Sequence, residues 1–174
     1  GKDRGRLAGS FRRRRELRCT IAPGLCRCHA GRDGVTRNRA HKVLAGWKAR
    51  DGKLWFSDMH DQRVKTVDLD GRCEEVVRVE NDPSGLGWLP DGRLLVVHGS
   101  ELRVREGTGL VRYADLSALT PYPFNDITVD GTGTVYVNSI GFDLMGGEQP
   151  RPGVVAAVTP DGVARVVASG VQFP

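Results

Sequence analysis

The 174-residue chain holds 39% apolar and 27% charged residues, the proportions of a soluble globular protein of one domain or slightly more. No run approaches the roughly 18 apolar residues of a membrane span, and the charged N-terminus has no apolar stretch behind it to make a secretory signal. Four cysteines are too few for a disulfide scaffold, so a reduced, cytoplasmic setting is expected, and 23 glycines point to many tight turns.

Charge divides the chain. Residues 1–42 hold 13 Lys/Arg against 3 Asp/Glu, a net of +10, and residues 43–174 hold 13 against 18, a net of −5. Such a split is the usual mark of a basic tail on an acidic domain. Over 1–42 the apolar residues Leu7, Phe11, Leu17, Ile21, Leu25 and Val35 follow neither a helical nor a strand period. So little to bury cannot offset about 1–2 kcal/mol per residue of backbone ordering entropy, and the segment is expected to lack structure. The Arg12–Arg15 run could touch phosphates. No nucleic-acid-binding signature follows it, so a nucleic-acid partner is not expected. Cys19, Cys26, Cys28 and His29 lack the gap of about two to four residues that separates paired zinc ligands. The change of composition at residue 43 is abrupt enough for the first 42 residues to come from a shifted or mis-started reading frame.

From residue 43 the texture becomes short β-branched runs punctuated by Asp-Gly. Leu44–Asp58, Leu86–Gly99 and Ile127–Ser139 each read as a short apolar strand, a Gly turn and an alternating strand. Trp47, Trp88 and Val129 fall at one repeat position, at intervals of 41 residues. A second hairpin follows each first one, over Val64–Val77, Leu102–Leu116 and Val154–Gly170. Asp-Gly between alternating runs is a strong hairpin signal. Four strands in about forty residues, repeated, is the arithmetic of a β-propeller blade. The expected fold is all-β, with three four-stranded blades in 43–174 and one short helical turn around Asp115–Leu119. Three blades do not close a ring, which takes about 4–8, so two open blade faces that favour self-association are expected.

The strings DGKLWFSDMHDQRVKTVDLDGRCEEVV, PSGLGWLPDGRLLVV and PYPFNDITVDGTGTVYVNSIGFDLMGG resemble the gluconolactonase/regucalcin (senescence marker protein) family over about residues 43–174. The resemblance implies a six-bladed propeller with one divalent cation, calcium or zinc, in its central channel, and hydrolysis of sugar lactones. A cation held by carboxylate and amide oxygens would polarise the lactone carbonyl and lower the pKa of a bound water. Carried over by position, the family's Glu-Gly-Pro-x-Trp glutamate falls on Val43, which cannot ligate a metal. The family's Asn-Asp pair falls on Asn125 and Asp126, after Phe124. Its Phe-Pro-Asn-Gly ligand motif matches only as far as Phe173-Pro174, and the last aspartate ligand lies beyond. Asn125 is therefore the candidate metal ligand, and Asn125, Asp126 and Ser84 are the candidate substrate or metal pocket. One amide is no calcium site, since calcium takes about six to eight oxygens. The expectation is an incomplete, inactive part of a lactonase; a non-catalytic propeller interaction module is the alternative.

Other residues carry blander expectations. Ser84 opens the second blade's inner strand, where a small residue keeps the channel open and could face substrate. Asn125 and Asp126 could instead form an Asx turn entering their strand, with Asp126 steadying the neighbouring strand through a hydrogen bond, and Asp58 should cap a turn. His60 and His98 have no carboxylate or Cys partner at ligand spacing and should be exposed or satisfied. Trp47 and Trp88 should pack between blades, and Cys73 should be a small buried residue. Gly107-Thr108-Gly109 reads as a hairpin turn. No H-E-x-x-H, G-x-S-x-G or P-loop is present.

Overall fold

In the computed structural model the described residues are 45–144, 146–172 and 174. The basic segment with Arg12–Arg15, the Cys19/Cys26/Cys28/His29 group and Val43 all lie outside the described residues. Twelve strands form three four-stranded antiparallel sheets, and within each sheet neighbours in space are neighbours in sequence. Blade 1 is β1 (Ala45–Arg50), β2 (Lys53–Asp58), β3 (Arg63–Val67) and β4 (Cys73–Arg78). Blade 2 is β5 (Pro83–Trp88), β6 (Leu94–His98), β7 (Glu101–Glu106) and β8 (Gly109–Asp115). Blade 3 is β9 (Phe124–Val129), β10 (Val135–Ser139), β11 (Gly153–Val158) and β12 (Ala164–Val171). The inner strands β1, β5 and β9 pack against one another, so the sheets are successive blades of a β-propeller. Among the described residues no helix is long and apolar enough to cross a membrane.

Local chemistry explains the meander. Asp51-Gly52 closes β1 on β2 as a two-residue turn with φ of 53° and 72°, the two left-handed positions that a type I′ hairpin needs. The matching turns of blades 2 and 3 are one residue longer and end on Gly92 and Gly133, at φ of 89° and 91°. Asp68, Asp91 and Asp130 each accept the backbone N–H two residues on, the Asx arrangement that holds a turn without help from elsewhere. Gly107-Thr108 joins Glu106 to Gly109 as expected.

The alternation of each strand fills two cores. Val64, Val77 and Val79 of blade 1 meet Leu86, Leu94 and Val96 of blade 2. Leu95, Val97, Leu102 and Val104 from the other face of blade 2 meet Ile127, Val135 and Val137 of blade 3. Each such residue contributes about 1.5–3 kcal/mol through burial, so the junctions between blades carry the stability.

Three expectations are corrected. Because the first turn is shorter, Trp47 pairs with Phe56 just as Leu86 pairs with Val96, whereas Trp88 pairs with Leu94. The two tryptophans are thus not at one repeat position. Trp88 packs at the junction of blades 1 and 2, edge-on to Trp55 at 5.4 Å with the Arg50 guanidinium 4.8 Å from its ring centre. Trp47 instead stands 64% exposed on the face of blade 1 that points away from blade 2. Cys73 is half-buried at the start of β4 rather than enclosed. The stretch Asp115–Leu119 makes a single turn, closed by Leu119 N–H on the Leu116 carbonyl.

Candidate functional site

The starts of β5 and β9 stand side by side at one end of the inner strands. Pro83 and Pro123 lead into them, each fixing an extended approach for the residue before it. The two strands come very close at Gly85, where a Cβ would lie 2.7 Å from both the Asn125 carbonyl oxygen and the Asp126 Cα. Only glycine permits that approach.

A relay of serines ties the three blades together at this level. Ser57 Oγ at the end of β2 donates to the Ser84 carbonyl at 2.6 Å, and Ser84 Oγ donates to the Phe124 carbonyl at 3.3 Å. Beside it opens a cavity of about 530 Å³ lined by Asp82, Ser84, His98, Glu101, Arg103 and Asn125, among others. The fold therefore brings Ser84 and Asn125, named from the sequence, into one wall. Ser84 is 5% exposed and its hydroxyl proton is committed to Phe124, which leaves an oxygen lone pair as what it can offer a ligand.

Asp126 does not line this cavity. Its Oδ1 accepts the Ile127 N–H at 2.8 Å, its Oδ2 lies 3.6 Å from Lys48 Nζ of β1, and its own N–H donates to Asn138 Oδ1 at 3.0 Å. Asn138 Nδ2 in turn donates to the Pro174 carbonyl at 2.6 Å. Asp126 is thus placed to steady β9 against blades 1 and 3.

The rim holds charges that single residues did not announce. Gly99-Ser100 is a two-residue turn that sets His98 opposite Glu101. His98 Nε2 hydrogen-bonds the Glu80 carbonyl, and its Nδ1 lies 4.0 Å from Glu101 Oε2. Arg103 Nε donates to the same Oε2 at 3.0 Å, and Arg112 Nη1 lies 3.6 Å from Oε1. His98 is satisfied as expected, but it does have a carboxylate beside it. The tight turn after it was the signal for that pairing. His60 is exposed.

Behind the rim, Asp58 is buried and caps its turn by accepting the Asp61 N–H at 3.1 Å. It also binds Lys65 Nζ at 2.8 Å, and Lys65 reaches Asp61 Oδ2 at 2.5 Å. Burial works against the Lys65 ammonium, but the hydrogen bonds to Asp58 and Asp61 outweigh it and hold its pKa above the ordinary lysine value.

The donor set does not fit a resident calcium or zinc ion. Among the described residues no three His, Cys, Asp or Glu side chains come together as a metal group. Asn125 brings one amide oxygen, and Asp126 is engaged by Lys48 and its own backbone. What the cavity does present is two amides (Asn81 and Asn125), an imidazole, two carboxylates and a guanidinium; the carboxylates can accept from hydroxyls, and the other groups can donate to hydroxyl or carbonyl oxygens.

Comparison with known proteins agrees with the β-propeller fold. A family profile described as the SMP-30/Gluconolactonase/LRE-like region matches residues 45–174. No curated protein sequence matches the chain. Among solved structures, the chain is similar to a calcium-binding protein, regucalcin, from Agrobacterium tumefaciens, at 18% identity and a TM-score of 0.58, covering 74% of this chain and 44% of that one. It is similar to a putative gluconolactonase at 16% identity and a TM-score of 0.56, covering 75% and 50%. A gluconolactonase from Xanthomonas campestris aligns at 19% identity and a TM-score of 0.51, covering 67% and 43%. The chain thus spans half or less of the length of these relatives. Identities this low speak for the fold, and the profile match over most of the chain speaks for the family: the protein belongs to the SMP-30/gluconolactonase/LRE-like family.

Proposed function

We propose that the described residues form one wall of a sugar-lactone-binding channel in a gluconolactonase-like hydrolase. The carrying observation is the cavity of about 530 Å³ that puts Asn125 and Ser84 together at the starts of two adjacent inner strands. Asn125 would orient the lactone through its amide, and the His98–Glu101–Arg103 rim would hydrogen-bond ring hydroxyls. Divalent-metal dependence is part of this reading by family, yet the described donors do not make a cation site. A hydrolytic centre needs ligands beyond them, so the described blades by themselves bind lactone without turning it over.

The test is the initial rate of gluconolactone hydrolysis by the purified chain, followed by acid release with and without added calcium or zinc. The expected result is the uncatalysed rate under every condition. Metal-dependent turnover that falls in Asn125→Ala would overturn the inactive part of the reading. A second reading, a non-catalytic interaction module, draws on the exposed Trp47; it requires that gluconolactone leave the thermal stability of the chain unchanged, whereas a lactone site predicts stabilisation by mass action.

A further inference from the structure

The charged groups around the cavity are not equally free. Glu101 accepts from Arg103 Nε at 3.0 Å on one oxygen and lies 3.6 Å from Arg112 Nη1 with the other. His98 Nε2 is bonded to the Glu80 carbonyl. Asp82 lines the same cavity and is exposed. Its carboxylate has neither an ion pair nor a hydrogen bond among the described residues. The side-chain amides of Asn81 and Asn125, also in the lining, have no such partner either.

The chain is held on both sides of Asp82. Before it, the Val79 N–H donates to the Gln62 carbonyl at 2.8 Å, and the Glu80 carbonyl takes the bond from His98. Asn81 turns the backbone at φ of 62°, a left-handed conformation that Asn adopts more readily than most residues with a side chain. After it, Pro83 is fully buried and pairs with His98 in the ladder. Asp82 is thus an unused acceptor on a pinned segment, so little ordering entropy opposes a ligand there.

We propose that Asp82 is a specificity-determining residue of the lactone site. Its carboxylate accepts the hydrogens of two hydroxyls on neighbouring ring carbons and so selects polyhydroxylated lactones over unsubstituted ones. An ionised carboxylate only accepts, and its two oxygens can serve two O–H donors. Hydrogen bonds to an ionised acceptor are roughly twice as strong as neutral ones. A lactone without hydroxyls has no donor to offer and gains nothing from Asp82. The amides of Asn81 and Asn125 can donate to the ring and carbonyl oxygens, which a carboxylate would repel. This inference rests on the lactone-binding reading and names the residue that sets its substrate class.

Amide NMR titration of the full 174-residue chain with gluconolactone, and separately with δ-valerolactone, tests it. The second ligand is a six-membered lactone ring without hydroxyls, and the shift at Asn125 reports the affinity of each. The parent chain should bind gluconolactone the more tightly. Asp82→Asn keeps the shape and removes the charge, and should weaken gluconolactone by about tenfold while leaving δ-valerolactone as it was. A merely structural role would move both ligands alike. The free variant should keep the melting temperature of the parent and, beyond residues 80–84, its amide spectrum. Gluconolactone bound by Asp82→Asn as tightly as by the parent, or both lactones weakened equally, overturns the assignment to Asp82 and leaves the lactone site standing. No shift at Asn125 with either lactone overturns the lactone reading and this inference with it.

Discussion

The Ser57 hydroxyl, at the end of the second strand of blade 1, donates 2.6 Å to the carbonyl of Ser84 on the inner strand of blade 2. Both residues are buried. The bond therefore joins two blades where one of them begins the candidate site, and it is worth more than a surface contact because the carbonyl would otherwise be left without this donor. Ser57→Ala should destabilise the chain by about 1–3 kcal/mol, read as a lower urea midpoint with unchanged slope. A loss within error would mean the serine relay does not hold the blades.

Gly85 fixes how near β9 can come to β5. Gly85→Ala places a Cβ 2.7 Å from backbone atoms of Asn125 and Asp126, and backbone cannot swing aside as a side-chain tip can. We expect a cost of about 1–3 kcal/mol, together with shifted amide resonances at Asn125. Wild-type stability for this variant would show the two strands to be further apart.

Lys65 supplies a pH dependence. Its pKa is raised on folding, so its contribution is complete below the value of a free lysine, about 10.4, and is lost as pH climbs through the folded value. Thermal stability should be insensitive to this group at neutral pH and fall only on the alkaline side. Lys65→Met leaves Asp58 buried without its ammonium partner and should cost about 3 kcal/mol, at the low end for a broken buried pair because Asp61 is part-exposed. The variant should also lose the alkaline slope. An unchanged slope would assign it to another group.

Asp130 works in the opposite direction. The Thr132 hydroxyl, followed by the N–H groups of Thr132 and Thr134, holds its carboxyl below the usual range. Its contribution is present above the unfolded aspartate value of about 3.9 and disappears as pH falls through the lower folded value. Asp130→Asn should flatten the acid limb of the melting-temperature profile relative to the parent chain. Parallel acid limbs would contradict the assignment.

How far the sequence reveals all this depends on the range of each interaction. Asp51-Gly52 and the aspartates at 68, 91 and 130 act within a few residues, so the strands, hairpins and blades are legible from turn chemistry and alternation. The inner-strand position of Ser84 and Asn125 follows from the same pattern. Trp47 and Trp88 were misaligned because a one-residue difference between turns is invisible to a count of intervals but resets the ladder. Contacts between elements distant in sequence were out of reach: nothing near Ser57 announces a bond to residue 84, and nothing near Lys65 marks it as buried between two aspartates. His98 and Glu101 were legible in principle, since a Gly-Ser turn pairs the residues on either side of it.

The central claim, a lactone site at the starts of β5 and β9, is met most directly by two-dimensional amide NMR of the chain titrated with gluconolactone. The account predicts saturable shifts clustered at Ser84, Gly99, Ser100 and Asn125, and their loss in Asn125→Ala with the rest of the spectrum unchanged. Shifts that ignore this cluster, or that survive the substitution intact, would contradict it.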